Sequence, residues 1–221
     1  MTKTLLLRLA GPQQSWGSVG SSAYRTTELT PTRSGVEGLL CAALGHRRGD
    51  VPEWVNALDI LVRVDRAGRV EWDFHTVNPV PDDVAEARGR WAALTGHRPT
   101  DAPLDWQVSR GQIAWKLQKK GEDPVTPTMV SRRAYLADAE FLLAVAGPDD
   151  DIDRLAAAVR APVYSPYLGR RAFAPAFPFT LGVRDKSAEA TLMSEPAAEA
   201  GRLRVVRLEG PRATYVGSTS A

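Results

Sequence analysis

Residues 4–9 read TLLLRL, and this apolar run decides how the rest of the fold is interpreted. Its length and composition are typical of a buried β-strand, which Gly11-Pro12 would end. A helix is predicted next, because SGVE at residues 34–37 has the pattern of a capping box and apolar residues then recur on one face. Gly45 suits the position that follows a helix end. The chain therefore begins with a strand followed by a helix.

The later part of the chain continues this alternation of strands and helices. Apolar residues at every second position predict two strands, at 58–66 and 69–76, around the turn Ala67-Gly68. Residues 77–130 are rich in proline, and only a short helix near 83–94 and a hairpin around Gly111 are predicted there. The remaining predicted elements are strands at 140–145, 177–183, 203–208 and 213–217 and a helix at 149–160.

This order of elements is close to the split βαβ unit of ferredoxin-like folds. We expect an α+β core formed by residues 1–76 and 131–183. Residues 77–130 are too long for a plain connection in a compact domain, so they predict a projecting arm. The last two predicted strands place a β-rich extension at residues 184–221.

Composition excludes several classes of protein. Hydrophobic residues make up 43% of the 221-residue chain and charged residues 24%, the balance of a globular protein rather than a disordered one. The single cysteine, Cys41, excludes a disulfide framework and is expected in the core. No apolar stretch approaches the ~18 residues of a membrane span, and the apolar run at the N-terminus is too short for a signal peptide. We therefore expect a cytoplasmic protein without membrane contact.

Positive charge is concentrated in three stretches, although the net charge is only +2. Residues 1–48 and 107–135 each carry six basic against two acidic side chains, and residues 160–173 carry three arginines and no acid. Only five of the 28 basic residues are lysine. Arginine suits bidentate phosphate contacts and stacking on bases, which favours a nucleic-acid ligand. A codon preference for arginine would give the same excess.

Five stretches of the sequence resemble the CasD family, the subunit of type I-E CRISPR Cascade complexes that holds the 5′ handle of the guide RNA. They occur in the family's order from one end of the chain to the other. The matching strings are LRLAGPQQSWG at 7–17, PTRSGVEGLL at 31–40, DFHTV at 73–77, YLAD at 135–138 and YSPYLGRR at 164–171.

The resemblance implies a fold and a set of partners. The fold would be a ferredoxin-like or RRM-like core of the RAMP superfamily, with a thumb-like arm and extra C-terminal strands. The function would be to bind and cap the 5′ handle of the guide RNA without processing it. The partners would be a CasC-type backbone subunit, a CasA-type large subunit, the other Cascade subunits and, through the complex, target DNA. The arm is longer than the family's usual thumb, so contacts within it transfer least.

Two stretches near the N-terminus could contact RNA. In the loop after the first strand, Gln14 could read a base edge and Trp16 could stack on a splayed base, or Trp16 could be tucked beneath the loop. Arg33 and Ser34 open the predicted helix, where unpaired amides favour an anion, and Ser34 could instead serve only as the helix cap. Arg25 is a further candidate for a phosphate contact.

The sharpest local pattern is YSPYLGRR at 164–171. Gly169 frees the backbone beside Arg170 and Arg171, and Tyr164 and Tyr167 supply rings that could stack on bases of a single strand. A surface loop whose arginines are simply solvated could have the same sequence. The other candidate RNA contacts are Arg110 and Lys116 in the arm, His75 and Tyr135.

Catalysis is not expected, and neither is a metal or another cofactor. The three histidines have no paired spacing with Cys41 or with carboxylates, which argues against a metal site. The alternative is a metal-independent endoribonuclease that processes CRISPR repeat RNA, with His75 as general base beside Tyr135 or Tyr167 and Lys116. A third possibility is a scaffold whose arginines contact only neighbouring subunits.

Overall fold

The structure is a computed structural model that describes residues 3–17, 24–77, 92–93, 95–98, 129–198, 202–209 and 212–220. It is a mixed α/β arrangement of antiparallel strands and short helices. The strands are β1 (Lys3–Ala10), β2 (Gln13–Gln14), β3 (Trp16–Gly17), β4 (Tyr24–Arg25), β5 (Thr27–Glu28), β6 (Asp59–Arg66), β7 (Arg69–Val77), β8 (Met129–Ala137), β9 (Glu140–Gly147), β10 (Thr180–Arg184), β11 (Arg202–Glu209) and β12 (Arg212–Ser220). The helices are α1 (Arg33–Leu44), α2 (Glu53–Asn56), α3 (Asp149–Arg160) and α4 (Ala188–Ser194).

The chain divides into two compact units. The first unit comprises residues 1–20, 25–72 and 133–221, and its main sheet has the strand order β10-β1-β9-β6-β11-β12 with antiparallel neighbours throughout. The second unit comprises residues 21–24 and 73–132. Among its described residues, the Arg132 guanidinium carbon lies 5.8 Å from the ring centroid of Phe74.

The central strands of the main sheet are buried on both faces. In β1, Leu5, Leu7 and Leu9 belong to the core formed with α1 and α3, whereas Leu6 points to the opposite face. That opposite face is covered by α4, through Ala188 and Leu192 and others. Burial on both faces explains why β1 shows a nearly unbroken leucine run instead of polar–apolar alternation.

Most predicted elements of the first unit are confirmed. The strands predicted at 58–66, 69–76 and 140–145 are β6, β7 and β9, and the C-terminal pair is β11 and β12. The helix predicted at 149–160 is α3, with three aspartates in its first turn. The strand predicted at 177–183 begins only at Thr180, as β10. Most of the helix predicted near 83–94 and the hairpin around Gly111 lie outside the described residues.

The capping box predicted at Ser34 is wrong, because the cap of α1 lies two residues earlier. Thr32 is the N-cap: its backbone is extended and its side-chain oxygen accepts a hydrogen bond from the Gly35 N–H at 3.3 Å. Ser34 lies inside the first turn. The C-terminal end agrees with the prediction, since Gly45 has a φ of 87° in the left-handed region.

A buried arginine connects α4 and the chain after it to the main sheet. Arg63 on β6 is 1% exposed and forms a bidentate ion pair with Asp65, at 2.6 and 2.9 Å. Its remaining N–H groups donate to three backbone carbonyls, those of Leu192, Glu195 and Pro196. All five guanidinium donors are therefore used, which is the condition under which a buried charge is tolerated.

Within the part of the chain that the structure describes, no helix combines the length and apolarity needed to cross a bilayer. The longest described helices, α1 and α3, have 12 residues each, well short of the roughly 20 that a transmembrane helix needs. Both instead pack one apolar face on the main sheet.

We predict that Arg63→Ala lowers the free energy of unfolding by about 3–5 kcal/mol, because it removes the cation from the buried Asp65 carboxylate and the guanidinium donor from three carbonyls. Urea denaturation followed by circular dichroism measures this. Arg204→Ala removes an exposed arginine on the neighbouring strand β11 and should change stability by less than about 0.5 kcal/mol. Equal losses of unfolding free energy in the two variants would show that the buried hydrogen bonds of Arg63 do not stabilise the fold more than an exposed arginine does.

Candidate nucleic-acid interface

Two segments of the first unit dock against each other at the end of β1. We call residues 11–17 the N-terminal loop and residues 163–177 the Tyr–Arg loop. The Ser15 N–H donates to the Leu168 carbonyl at 3.0 Å. The backbones of the two loops approach so closely that a side-chain carbon at Gly169 would lie 1.6 Å from the backbone carbonyl oxygen of Ser15. Only glycine fits at this position. Gly169 also has a φ of 87°, which favours glycine for a second reason.

The Tyr–Arg loop has its own internal hydrogen bonds and buried anchors. The Leu168 N–H donates to the Phe173 carbonyl at 2.7 Å, and the Phe173 N–H donates to the Arg170 carbonyl at 2.9 Å. Leu168 and Phe173 are both buried in the core that contains α1. The loop is therefore a tight, anchored turn whose conformation is set before any ligand arrives.

Arg170 is held against this turn. Its guanidinium donates to the Ala134 carbonyl at 2.7 Å and its central carbon lies 5.2 Å from the ring centroid of Phe173. Tyr135 packs on the same ring, with 6.0 Å between ring centroids. Arg170 is half-buried, so it braces the loop and presents only part of its charge to solvent.

The remaining polar and aromatic side chains of the motif face outward. Tyr164 is 52% exposed, Tyr167 is 39% exposed and Arg171 is exposed. The backbone beneath Tyr164 is fixed, because its N–H donates to the Ala42 carbonyl near the end of α1 at 3.2 Å. Two rings and a cation thus project from a backbone that is anchored at several points.

The structure corrects the expectation for Gln14 and Trp16. Gln14 is fully buried, and its amide donates to the carbonyls of Leu9 and Ala139 at 2.8 Å each. Trp16 is 1% exposed, and its indole N–H donates to the Gln14 side-chain oxygen at 3.2 Å. Both side chains are core residues with satisfied polar groups, so neither is available to a base.

The structure also corrects the expectation that Arg33 contacts a phosphate, because its guanidinium forms bonds within the fold. Its guanidinium pairs with Glu37 at 2.7 Å and donates to three backbone carbonyls. These carbonyls belong to Asn56, Leu58 and Leu208, so the side chain ties the start of α1 to β11 and to the turn before β6. Ser34, one residue further along, is exposed in the first turn.

The other predicted residues are dispersed. Arg25 is exposed on β4. In the second unit, His75 is exposed and its Nε2 lies 2.6 Å from an Asp73 carboxylate oxygen. Arg110 and Lys116 lie outside the described residues. Among the residues that are described, no group of three or more histidine, cysteine or acidic side chains could hold a metal ion.

Comparison with known proteins identifies the family. The family model described as CRISPR-associated protein (Cas_Cas5) matches residues 4–219. The chain belongs to the Cas5 family. It is 32% identical over 196 residues to the CRISPR system Cascade subunit CasD of Escherichia coli (strain K12), an alignment that covers 82% of this chain and 71% of that protein.

Solved structures agree with the Cas5 assignment. A chain of a structure titled CRISPR RNA-guided surveillance complex aligns with 97% of this Cas5 protein and 87% of its own length, at a TM-score of 0.64 and 29% identity. A second structure, titled Crystal structure of Cas protein, aligns with 99% of this chain and 93% of its own, at a TM-score of 0.58 and 25% identity.

Sequence reasoning overlooked two features of this Cas5 protein. Gly35 was taken as part of a helix start, but its lack of a side chain lets the Trp16 ring approach within 3.0 Å of the position a side-chain carbon would take. Phe177 was placed in a strand, yet its side chain is 94% exposed. The available signal was the pair of prolines, Pro175 and Pro178, on each side of Ala176-Phe177, since proline is unfavourable within a central strand.

We predict that Gly169→Ala destabilises this Cas5 protein more than a strained backbone alone would. Gly49 is the matched control, because its φ of 88° is nearly the same but a side-chain carbon there would meet nothing within 4 Å. Gly49→Ala should cost about 1–2 kcal/mol. Gly169→Ala should cost about 1–3 kcal/mol more, since the Ser15 backbone must move. Urea denaturation of both variants decides the matter, and equal losses would mean that the two loops are not tightly docked.

Proposed function

We propose that this Cas5 protein is a non-catalytic subunit of a type I-E Cascade surveillance complex that binds the 5′ handle of the guide RNA. The observation that carries the proposal is the Tyr–Arg loop, a turn locked by Gly169 that presents Arg171, Tyr164 and Tyr167 to solvent. Single-stranded RNA is held by phosphate contacts and by stacking on aromatic rings, and this loop offers both.

The architecture supports a RAMP-type core. The four strands β10-β1-β9-β6, with α1 and α3 packed on one face, have the order and chain connections of a ferredoxin-like split βαβ unit. An RRM of this topology binds RNA on the open face of its sheet. In this protein α4 covers that face, so RNA binding by the loops is the better fit.

We propose that further residues, some of them in the arm, add to the contacts of the Tyr–Arg loop. Arg170 would add a partly shielded positive charge, and Arg25 would add an exposed one. The expectation for Arg110 and Lys116 rests on their basic character in residues 77–130, which we propose to form a thumb-like arm. His75 and Tyr135 stay in the proposed set as lesser contacts, the first because it is exposed.

The proposed partners follow from the relatives. One relative is a Cascade subunit and one similar structure belongs to an RNA-guided surveillance complex. By that likeness we propose that this chain assembles with guide RNA, a CasC-type backbone subunit, a CasA-type large subunit and the other Cascade subunits. Target DNA would be met through the complex.

A second candidate function rests on one observation in the second unit. The His75 Nε2 lies 2.6 Å from Asp73 and both side chains are partly exposed, an arrangement in which a carboxylate orients an imidazole as general base. A metal-independent endoribonuclease acting on CRISPR repeat RNA could use such a pair. It would also need a cation beside the scissile phosphate.

We predict that Arg171→Ala weakens handle binding and lowers its dependence on salt. Losing one phosphate contact to a single strand should reduce the slope of log K against log salt by about 0.7. Fluorescence anisotropy with a labelled RNA of the host's repeat-derived handle, over a range of potassium chloride, measures the slope. Arg204→Ala, an exposed arginine three strands from β1, is the control and should leave the slope unchanged. A slope unaffected by Arg171→Ala would count against the proposal.

We predict that the purified chain leaves full-length repeat RNA intact in EDTA, as does His75→Ala. Denaturing gels after incubation with end-labelled RNA give the readout. Specific cleavage by the unsubstituted chain that disappears in both His75→Ala and Asp73→Asn would establish the endoribonuclease and overturn the non-catalytic role.

A further inference from the structure

Phe177 is the most exposed large hydrophobic side chain among the described residues, at 94%. Its exposure does not come from a loose backbone. The N–H of the preceding residue, Ala176, donates to the Ala10 carbonyl at 2.7 Å, and the Phe179 carbonyl accepts from the Arg8 N–H at 2.8 Å. Phe177 is therefore held between two attachments to β1 with its ring directed into solvent.

The attachment places Phe177 at the C-terminal end of the Tyr–Arg loop. Two parts of the Tyr–Arg loop pack closely on Gly11. If Gly11 had a side-chain carbon, that atom would lie 3.0 Å from the Ala174 carbonyl oxygen and 3.3 Å from a Leu168 methyl carbon. Leu168 directly follows Tyr167 in the chain. The stretches that carry Tyr167 and Phe177 thus meet at Gly11, with the exposed Arg171 between them in sequence.

The surroundings of Phe177 favour a nucleobase over a protein as its occupant. Anchor residues of protein interfaces lie at the centre of a packed patch, ringed by further contacts that exclude water. Phe177 is flanked by small or cyclic side chains, Ala176 and Pro178, and the other exposed rings of the loop are tyrosines. A solvent-exposed aromatic ring on an anchored backbone is a platform on which an unstacked base can lie.

We propose that Phe177 stacks on one unpaired base of the handle RNA and so forms a base-binding position in addition to Tyr164 and Tyr167. The inference rests on the proposed function of the Tyr–Arg loop. Because phenylalanine has no hydrogen-bonding group, this position contributes affinity through the face of the base and tolerates any base identity. Recognition of the base sequence of the handle would then depend on other contacts.

The test measures binding of a labelled handle RNA to the full-length chain by fluorescence anisotropy. Phe177→Ala should weaken binding about 5- to 100-fold, the range that one base–aromatic stack supplies. Phe177→Tyr should bind within about 2-fold of the unsubstituted chain, whereas Phe177→Leu, which keeps apolar volume but lacks a ring, should behave like Phe177→Ala. Met193→Ala is the control and should leave the affinity unchanged. Met193 is also an exposed apolar side chain, at 61%, but it lies on α4, on the face of the main sheet opposite α1 and α3.

A set of RNAs, each with one abasic position, makes the test specific. One abasic position should weaken binding by the same factor as Phe177→Ala in the unsubstituted chain, and should cost nothing further in Phe177→Ala. Unchanged affinity of Phe177→Ala, or equal rescue by Leu and Tyr, would overturn the stack. Loss of the other subunits on purification of Phe177→Ala, with RNA affinity unchanged, would assign the ring to a protein neighbour instead. Failure of the unsubstituted chain to bind any of these RNAs would remove the proposed function itself, and this inference with it.

Discussion

The burial of β1 and β9 on both faces is the constraint on which the rest of the structure depends. Leu5 and Phe141 point to one face of the sheet and Leu6 and Leu142 to the other, and both faces must be covered. Helices α1 and α3 cover the first face, and α4 covers the second, held there by Arg63. With both faces occupied, the proposed RNA binding falls to the loops at the ends of the strands. The N-terminal loop and the Tyr–Arg loop meet at one such end.

The parts of the fold that could be predicted are those encoded within a few residues. The apolar run of β1, the acidic first turn of α3 and the left-handed Gly45 each carry a local signal that tertiary contacts do not overrule. Thr32 was missed as the cap of α1 because Ser34 offers an equally good local pattern, and the choice depends on where Arg33 finds its partners. The role of α4 was missed because the need to cover a sheet face is not visible in the helix's own sequence.

The candidate site also contains residues whose position follows from the local sequence and residues whose position depends on distant contacts. The outward position of Tyr164, Tyr167 and Arg171 agrees with an exposed glycine-containing turn. Trp16 has the same kind of neighbours, glycine and small polar residues, and yet it is buried. What decides its place is Gly35, 19 positions away in the sequence, which leaves room for the indole against α1. A distant contact of this kind cannot be inferred from local composition.

The arginines show why counts of positive charge overstate a nucleic-acid surface. Arg63 has every donor bound within the chain, Arg33 pairs with one carboxylate and three carbonyls, and Arg170 is partly committed to Ala134 and Phe173. Arginine suits such positions because its planar fork satisfies several carbonyls at once. At these three positions arginine stabilises the fold, and its positive charge is not a measure of phosphate binding. If the chain binds RNA as proposed, cations outside these networks must supply the phosphate contacts, and the close approach of Gly169 to Ser15 fixes the backbone near one of them, Arg171.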